Sequence, residues 1–158
     1  MVRLVPMEQA HFEAYLKEAI PSYADDQVRA GNWHVSNTVE RAKEAYTALL
    51  PDGLASEKQH LFSVLDGESG AQVGMIWFMV NEQAARPTAF VCDLLIQEPY
   101  RRKGYGTETM EALEGKVREL RLERIALHVF AHNAPARALY AKMGYQATNI
   151  QMAKELDA

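Results

Sequence analysis

Cysteine is nearly missing from this 158-residue chain, and its single example, Cys92, stands inside an apolar run. A disulfide framework and a cysteine-based metal cluster are therefore both excluded. A basic surplus is missing too. Lys and Arg number 17 against 21 Asp and Glu, a net charge of −4, which argues against a general binder of nucleic acid or membrane surfaces. No apolar run approaches the roughly 18 residues of a spanning helix, and the opening MVRLVPMEQAHFEAYL lacks an apolar stretch followed by small cleavage residues. The expectation is a soluble, cytoplasmic protein. Glycine is sparse, and the nucleotide signatures built on it fail: G-x-x-x-x-G-K-[ST] is absent, and Thr109 stands where a dinucleotide fingerprint needs its third glycine.

What is present is apolar periodicity in two registers. At 48% hydrophobic residues, 158 positions suffice for one well-filled core and are short for two, so residues 1–158 read as a single domain. VRLVPM alternates as a first strand. Phe12, Leu16 and Ala19 share a helical face over Glu8–Ala19, with Pro21 expected to end that helix and DQVRAGN to form a separate short one. TVERAKEAYTALLP repeats Val39, Ala42, Tyr46 and Leu49 at helical spacing. HLFSVLD and QVGMIWFMVN, split by GESG, read as an antiparallel hairpin. Thr88–Ile96 is apolar at nearly every position, the pattern of a strand covered on both faces, and Asp93 is its one charge. A helix from about Thr107 to Leu122, the strand RIALHVFA and the short helix APARALYAKM follow. Strand, helix, strand in that order implies a parallel pair, hence a mixed α/β chain.

The stretch YRRKGYGTETMEALEGKV joins the buried strand to its helix. With no side chains at Gly104 and Gly106, the amides of residues 102–107 can converge on one point at the positive end of the helix dipole. That arrangement suits a phosphate. The same residues also fit a plain corner with Arg101, Arg102 and Lys103 in solvent, so the turn alone does not decide. In HVFAHNAPARALYAKMGY, Asn133 suits a helix cap, Pro135 its first turn and Gly144 its stop, and Tyr140 fits a core aromatic as well as a catalyst.

Taken together, R-x-x-G-x-G after one strand and N-x-x-A-x-x-L-Y-x-x-x-G-Y after the next resemble the GNAT acetyltransferase superfamily, over roughly Val73–Tyr145. YADDQVRAGNW, LLPDGLASEKQHLF and HVFAHN are similar to a small bacterial branch of the YycN type. The resemblance implies the GNAT fold, a mostly antiparallel mixed sheet whose central parallel pair splays apart to take acetyl-CoA as co-substrate, without a metal. It implies that Arg101, Arg102, Lys103, Gly104, Tyr105, Gly106 and Thr107 grip the coenzyme's diphosphate and that Asn133 meets the pantetheine arm. Arg137 would reach the phosphates, and Tyr140 would be the general acid. Backbone at a bulge around Leu94 to Ile96, including Leu95 and Ile96, would polarise the thioester.

A phenol of ordinary pKa about 10 is a sensible proton donor to a leaving thiolate, and an alkylammonium of pKa about 10.4 must lose a proton before it attacks. Asp93 is the candidate general base, since the resemblance implies an acidic pair on this strand and Cys92 replaces one member. His128 and Glu82 are rivals, and Asp93 fits a structural role as well. Cys92 has no legible Cys-His-acid arrangement to make it a nucleophile, and no role is assigned to His132. Residues 1–60 would serve the acceptor, a small-molecule or peptide amine, with Asp25 and Asp26 either attracting it or lying in solvent. Trp33 and Trp77 either pack or wall a pocket. The leading reading is an N-acetyltransferase, monomeric or homodimeric. A non-catalytic acyl-CoA-binding sensor of the same fold is the alternative, and a phosphate or nucleic-acid binder using RRK is disfavoured by the acidic total.

Overall fold

The structure is a computed structural model describing residues 1–157. Its order is β1 (Val2–Pro6), α1 (Gln9–Arg29), α2 (Thr38–Leu49), β2 (Gln59–Asp66), β3 (Gln72–Asn81), β4 (Thr88–Ile96), α3 (Tyr105–Glu119), β5 (Arg124–Leu127) and α4 (Ala134–Lys142), with short 3-10 turns at Gly53–Ala55 and Glu98–Tyr100. The strands form one sheet in chain order β1-β2-β3-β4-β5. Neighbours are antiparallel except β4 and β5, which run parallel. The mixed sheet with one parallel pair is therefore as the sequence pattern implies.

Alternation along β3 and β4 divides the interior in two. Val64, Val73, Ile76, Phe78, Val91, Met110, Leu113 and Val117 pack between the sheet and α3. Phe12, Tyr15, Ala19, Leu61, Met75 and Trp77 pack on the α1 and α2 side. Covered on both faces, the central strands have no exposed side to alternate with polar residues, which is why they read as continuous apolar runs.

Three boundaries differ from the sequence reading. Helix α1 does not stop at Pro21 but continues through it to Arg29, absorbing the piece expected to be separate. Pro21 is exposed, so the carbonyl left without its N–H partner faces water, while the buried Tyr15, Ala19 and Ala24 hold both halves of the helix to the core. Helix α3 begins at Tyr105 rather than Thr107, because Gly104 adopts φ of 87° and turns the chain into the helix directly. The strand expected over RIALHVFA ends at Leu127. Pairing of β5 with β4 covers only Thr88↔Arg124 to Val91↔Leu127. Beyond that point β4 runs on to Ile96 while the other strand leaves the sheet, and the two part. Among the described residues no helix is long and apolar enough to cross a membrane.

Candidate active site

The parting of β4 and β5 coincides with a bulge. Trp77 pairs with Asp93 and Phe78 with Val91, leaving Cys92 as the extra residue. The irregularity expected around Leu94 to Ile96 thus falls earlier on the strand. Its effect is steric: Val91 packs on the α3 side, whereas Cys92 joins the α1 side and the neighbouring Asp93 meets Tyr15 of α1. An extra residue is what lets adjacent side chains share a face. Past the bulge, the edge of β4 that faced β5 has no strand partner through Leu95 and Ile96.

Asp93 is buried beneath α1. The Tyr15 hydroxyl donates to its Oδ2 at 2.6 Å. Burial raises the Asp93 carboxyl above its ordinary pKa. The Tyr15 bond and the Leu94 amide pull the other way, and the nearby Asp26 charge adds to the rise. Tyr15 and Tyr46 are pushed up as well, by burial first and then by the Asp93 charge, and their hydroxyls adjoin. Burial and Asp93 also push the Cys92 thiol up to about 12, so it stays protonated and unreactive at neutral pH. Tyr140 of α4 feels the same charge: burial, then the Asp93 carboxylate, push its phenol up to about 12. Among the described residues its hydroxyl has no hydrogen-bond partner.

At the other end of the opening lies the start of α3. The amides of residues 102–107 donate to no backbone or side-chain acceptor among the described residues, and the first helical bond is Glu108 N–H to the Gly104 carbonyl at 3.1 Å. No side chain caps this end. Arg102 (φ 64°) and Gly104 (φ 87°) are both left-handed, which folds the amides toward one side. Two ties hold the corner. Arg101 Nε donates to the Ile96 carbonyl at 2.8 Å, and the Tyr105 hydroxyl donates to Asp66 Oδ2 at 2.6 Å. Asp66 also accepts the Glu68 and Ser69 amides of the β2–β3 turn, and these bonds keep its carboxyl well below the usual range.

The two glycines serve different ends. A Cβ on Gly104 would meet nothing, so its requirement is the positive φ alone. A Cβ on Gly106 would stand 3.3 Å from Leu139 Cδ2, so this glycine lets α3 and α4 approach. Asn133 caps α4, its Oδ1 accepting the Ala136 amide at 3.2 Å, and Arg137 Nη1 donates to the Ala131 carbonyl at 3.2 Å while remaining exposed.

One contact had no signal in the sequence. His132 Nε2 lies 2.9 Å from Asp26 Oδ1, joining α1 to the loop after β5. Since Tyr15 of the same helix binds Asp93 of β4, α1 bridges the two sides of the opening. Asp25 is exposed, so the adjacent acids divide into a solvated one and a paired one. Of the rival bases, Glu82 is on the surface with Lys58 at 3.3 Å, and His128 is exposed with its ring edge-on to Phe130. Trp33 and Trp77 end an aromatic row through Tyr23 and Tyr46, with successive centroids 5.7, 5.7 and 5.8 Å apart. A groove of about 750 Å³ also reaches Tyr15, lined by Glu8, Glu18, Met75, Leu95 and Gln97 among others; among the described residues no Lys or Arg borders it.

A splayed parallel pair, an unpartnered helix start at its mouth and a free phenol beside a buried carboxylate together define the class. Residues 22–145 match the Acetyltransferase (GNAT) family, and the chain belongs to that family. It is 36% identical over 155 residues to the N-acetyltransferase YycN of Bacillus subtilis (strain 168), itself named as uncharacterized, covering 98% of this chain and 99% of that one. A second protein of that organism, the equally uncharacterized N-acetyltransferase YdgE, is 34% identical over 153 residues, 97% of each chain. The crystal structure of Bacillus subtilis YycN superposes with a TM-score of 0.94 at 35% identity, covering 100% of both chains.

Proposed function

We propose that this protein transfers an acetyl group directly from acetyl-CoA to the primary amine of a small molecule or peptide. The observation that carries this reading is the run of unpartnered amides at residues 102–107, set where β4 and β5 part. Those amides, with the dipole of α3, neutralise the diphosphate. The exposed Arg101, Arg102, Lys103 and Arg137 supply cationic charge around it. The acyl arm then lies along the unpaired edge of β4, where backbone near Leu95 and Ile96 polarises the thioester carbonyl, and Asn133 borders it.

In the transfer the amine nitrogen forms a bond to the acetyl carbonyl carbon and the carbon–sulfur bond breaks. Tyr140 gives its proton to the leaving sulfur. Asp93 accepts the proton lost by the ammonium, and its raised proton affinity makes it a better base than an exposed carboxylate. Tyr15 positions Asp93. The acceptor is served by residues 1–60 and the coenzyme by residues 73–145. The groove that reaches Tyr15, bordered by Glu8 and Glu18, favours an acceptor that arrives as a cation.

The test is release of free thiol from acetyl-CoA across a panel of amines and peptides with the purified chain. Turnover with at least one primary amine is expected. Tight acetyl-CoA binding with no turnover on any amine would favour a sensor, and stabilisation by ATP but not CoA would refute the coenzyme assignment.

A further inference from the structure

One stripe of polar side chains on α1 borders the sheet. Glu8, at the N-cap of the helix, and His11, Tyr15 and Glu18 within it follow at intervals of three, four and three residues, which sets them along one helical face. All four line the groove of about 750 Å³ whose other wall comes from β1 to β4. Tyr15 is engaged at Asp93. His11, one turn earlier and half-buried, has no part in the transfer described above.

Its partner is a serine set in an apolar strand. Ser63 of β2 pairs with Val5 on one side and Met75 on the other, is 4% exposed, and brings its Oγ to 2.5 Å from His11 Nδ1. Among the described residues neither group has another hydrogen-bond partner. Were Nδ1 to donate, the serine proton would be buried without an acceptor, which is costly. The hydroxyl therefore donates to Nδ1. Burial lowers the imidazole pKa, so near neutral pH the ring is uncharged and carries its single proton on Nε2. His11 thus offers the groove a neutral N–H donor with no acceptor in its own chain.

We infer that His11 is a specificity-determining residue of the acceptor site: it donates its Nε2 proton to a carbonyl oxygen of a peptide-like amine, and Ser63 holds the ring in the tautomer that can do so. This role rests on the acyl-transfer reading, which puts the reacting amine at Asp93. Four residues separate His11 from Tyr15, about 6 Å along the helix axis, a spacing that one dipeptide spans with its amine at Asp93 and a carbonyl at His11. Glu8 and Glu18 attract the ammonium, and the Gln72 and Gln97 amides also line the groove. An alkyl diamine brings charge but no oxygen. It leaves the His11 donor unpaired, and a site built to pair a substrate group rejects the analogue that lacks it.

Dipeptide amides and alkyl diamines of matched length are the probes, compared by thiol release and by calorimetric binding to the chain saturated with CoA. The wild type should favour the dipeptide amides at least about tenfold in both. The double variant His11→Phe/Ser63→Ala removes both partners together, so no buried hydroxyl is orphaned; its preference should fall to within about twofold, with CoA affinity and circular dichroism unchanged. Ser63→Ala alone keeps the ring but frees its tautomer and should lose part of the preference. Ring 15N spectra of the wild type read the same groups without mutation: His11 should be protonated at Nε2 and should shift with dipeptide amides but not with diamines. Equal use of both probes by the wild type overturns the inference, as does a double variant that binds CoA and keeps the preference, or a His11 ring protonated at Nδ1. Absence of thiol release with every amine would sink the transfer reading, and the binding ratio then decides the role of His11 by itself.

Discussion

Tyr15 reaches down from α1 to donate its hydroxyl to Asp93 Oδ2 at 2.6 Å, across a sequence separation of 78 residues. The bond fixes the carboxylate of β4 under the helix that also carries Asp26, and so couples α1 to the strand along which the acyl group is proposed to lie.

Replacing Asp93 separates stability from chemistry. Burial raises its carboxyl pKa above the unfolded value, so the native state holds the proton more tightly than the unfolded one. The stabilising contribution is present below the unfolded pKa of about 3.9 and is lost as pH rises through the raised folded value. Asp93→Asn keeps an acceptor for Tyr15 and removes the titration. Its melting temperature should gain on wild type progressively as pH rises above about 4, while kcat/KM falls about 100-fold. Thermal melts over that range and thiol-release kinetics check both halves.

Gly104→Val tests the corner at the start of α3. The substituent has open space, so its effect comes from the φ of 87°, which a β-branched residue resists. The amides should swing away from their common point. Calorimetric titration should show acetyl-CoA affinity at least about tenfold weaker, or about 1.4 kcal/mol, with a circular dichroism spectrum unchanged.

Tyr140→Phe removes a hydroxyl with no protein partner, so no buried group is orphaned and stability should hardly move. Turnover should fall about 100-fold with coenzyme affinity preserved. Steady-state kinetics beside a binding isotherm separate the two.

Asp26→Asn weakens the tie between α1 and the loop after β5. With the partners' side chains 19% and 40% exposed, the hydrogen bond contributes about 1 kcal/mol at most. The expected result is an acceptor KM raised about fivefold with the coenzyme constant unchanged.

Much of this arrangement was legible in the chain because it is written locally. Thr88–Ile96 is a strand with the bounds its apolar run indicated, Thr38–Leu49 is the helix its repeat of Ala42 and Tyr46 indicated, and Asn133 caps α4 as a cap residue should. What was hidden depends on partners far away. The bulge at Cys92 exists only relative to Trp77 and Phe78 on β3, and no pattern within β4 announces it. Pro21 reads as a stop until tertiary packing of Tyr15 and Ala24 holds the helix through it. The Asp26 to His132 contact spans 106 residues, beyond any local periodicity, and Gly106 owes its smallness to Leu139 rather than to its own turn.

The central claim is that the amides of residues 102–107 hold the coenzyme's diphosphate. Two-dimensional amide NMR of the 15N-labelled protein, titrated with CoA, reads those groups one by one. The account predicts that the largest shifts fall on residues 102–107, together with slowed amide exchange there. Saturating CoA that left those signals in place, while others moved, would contradict it.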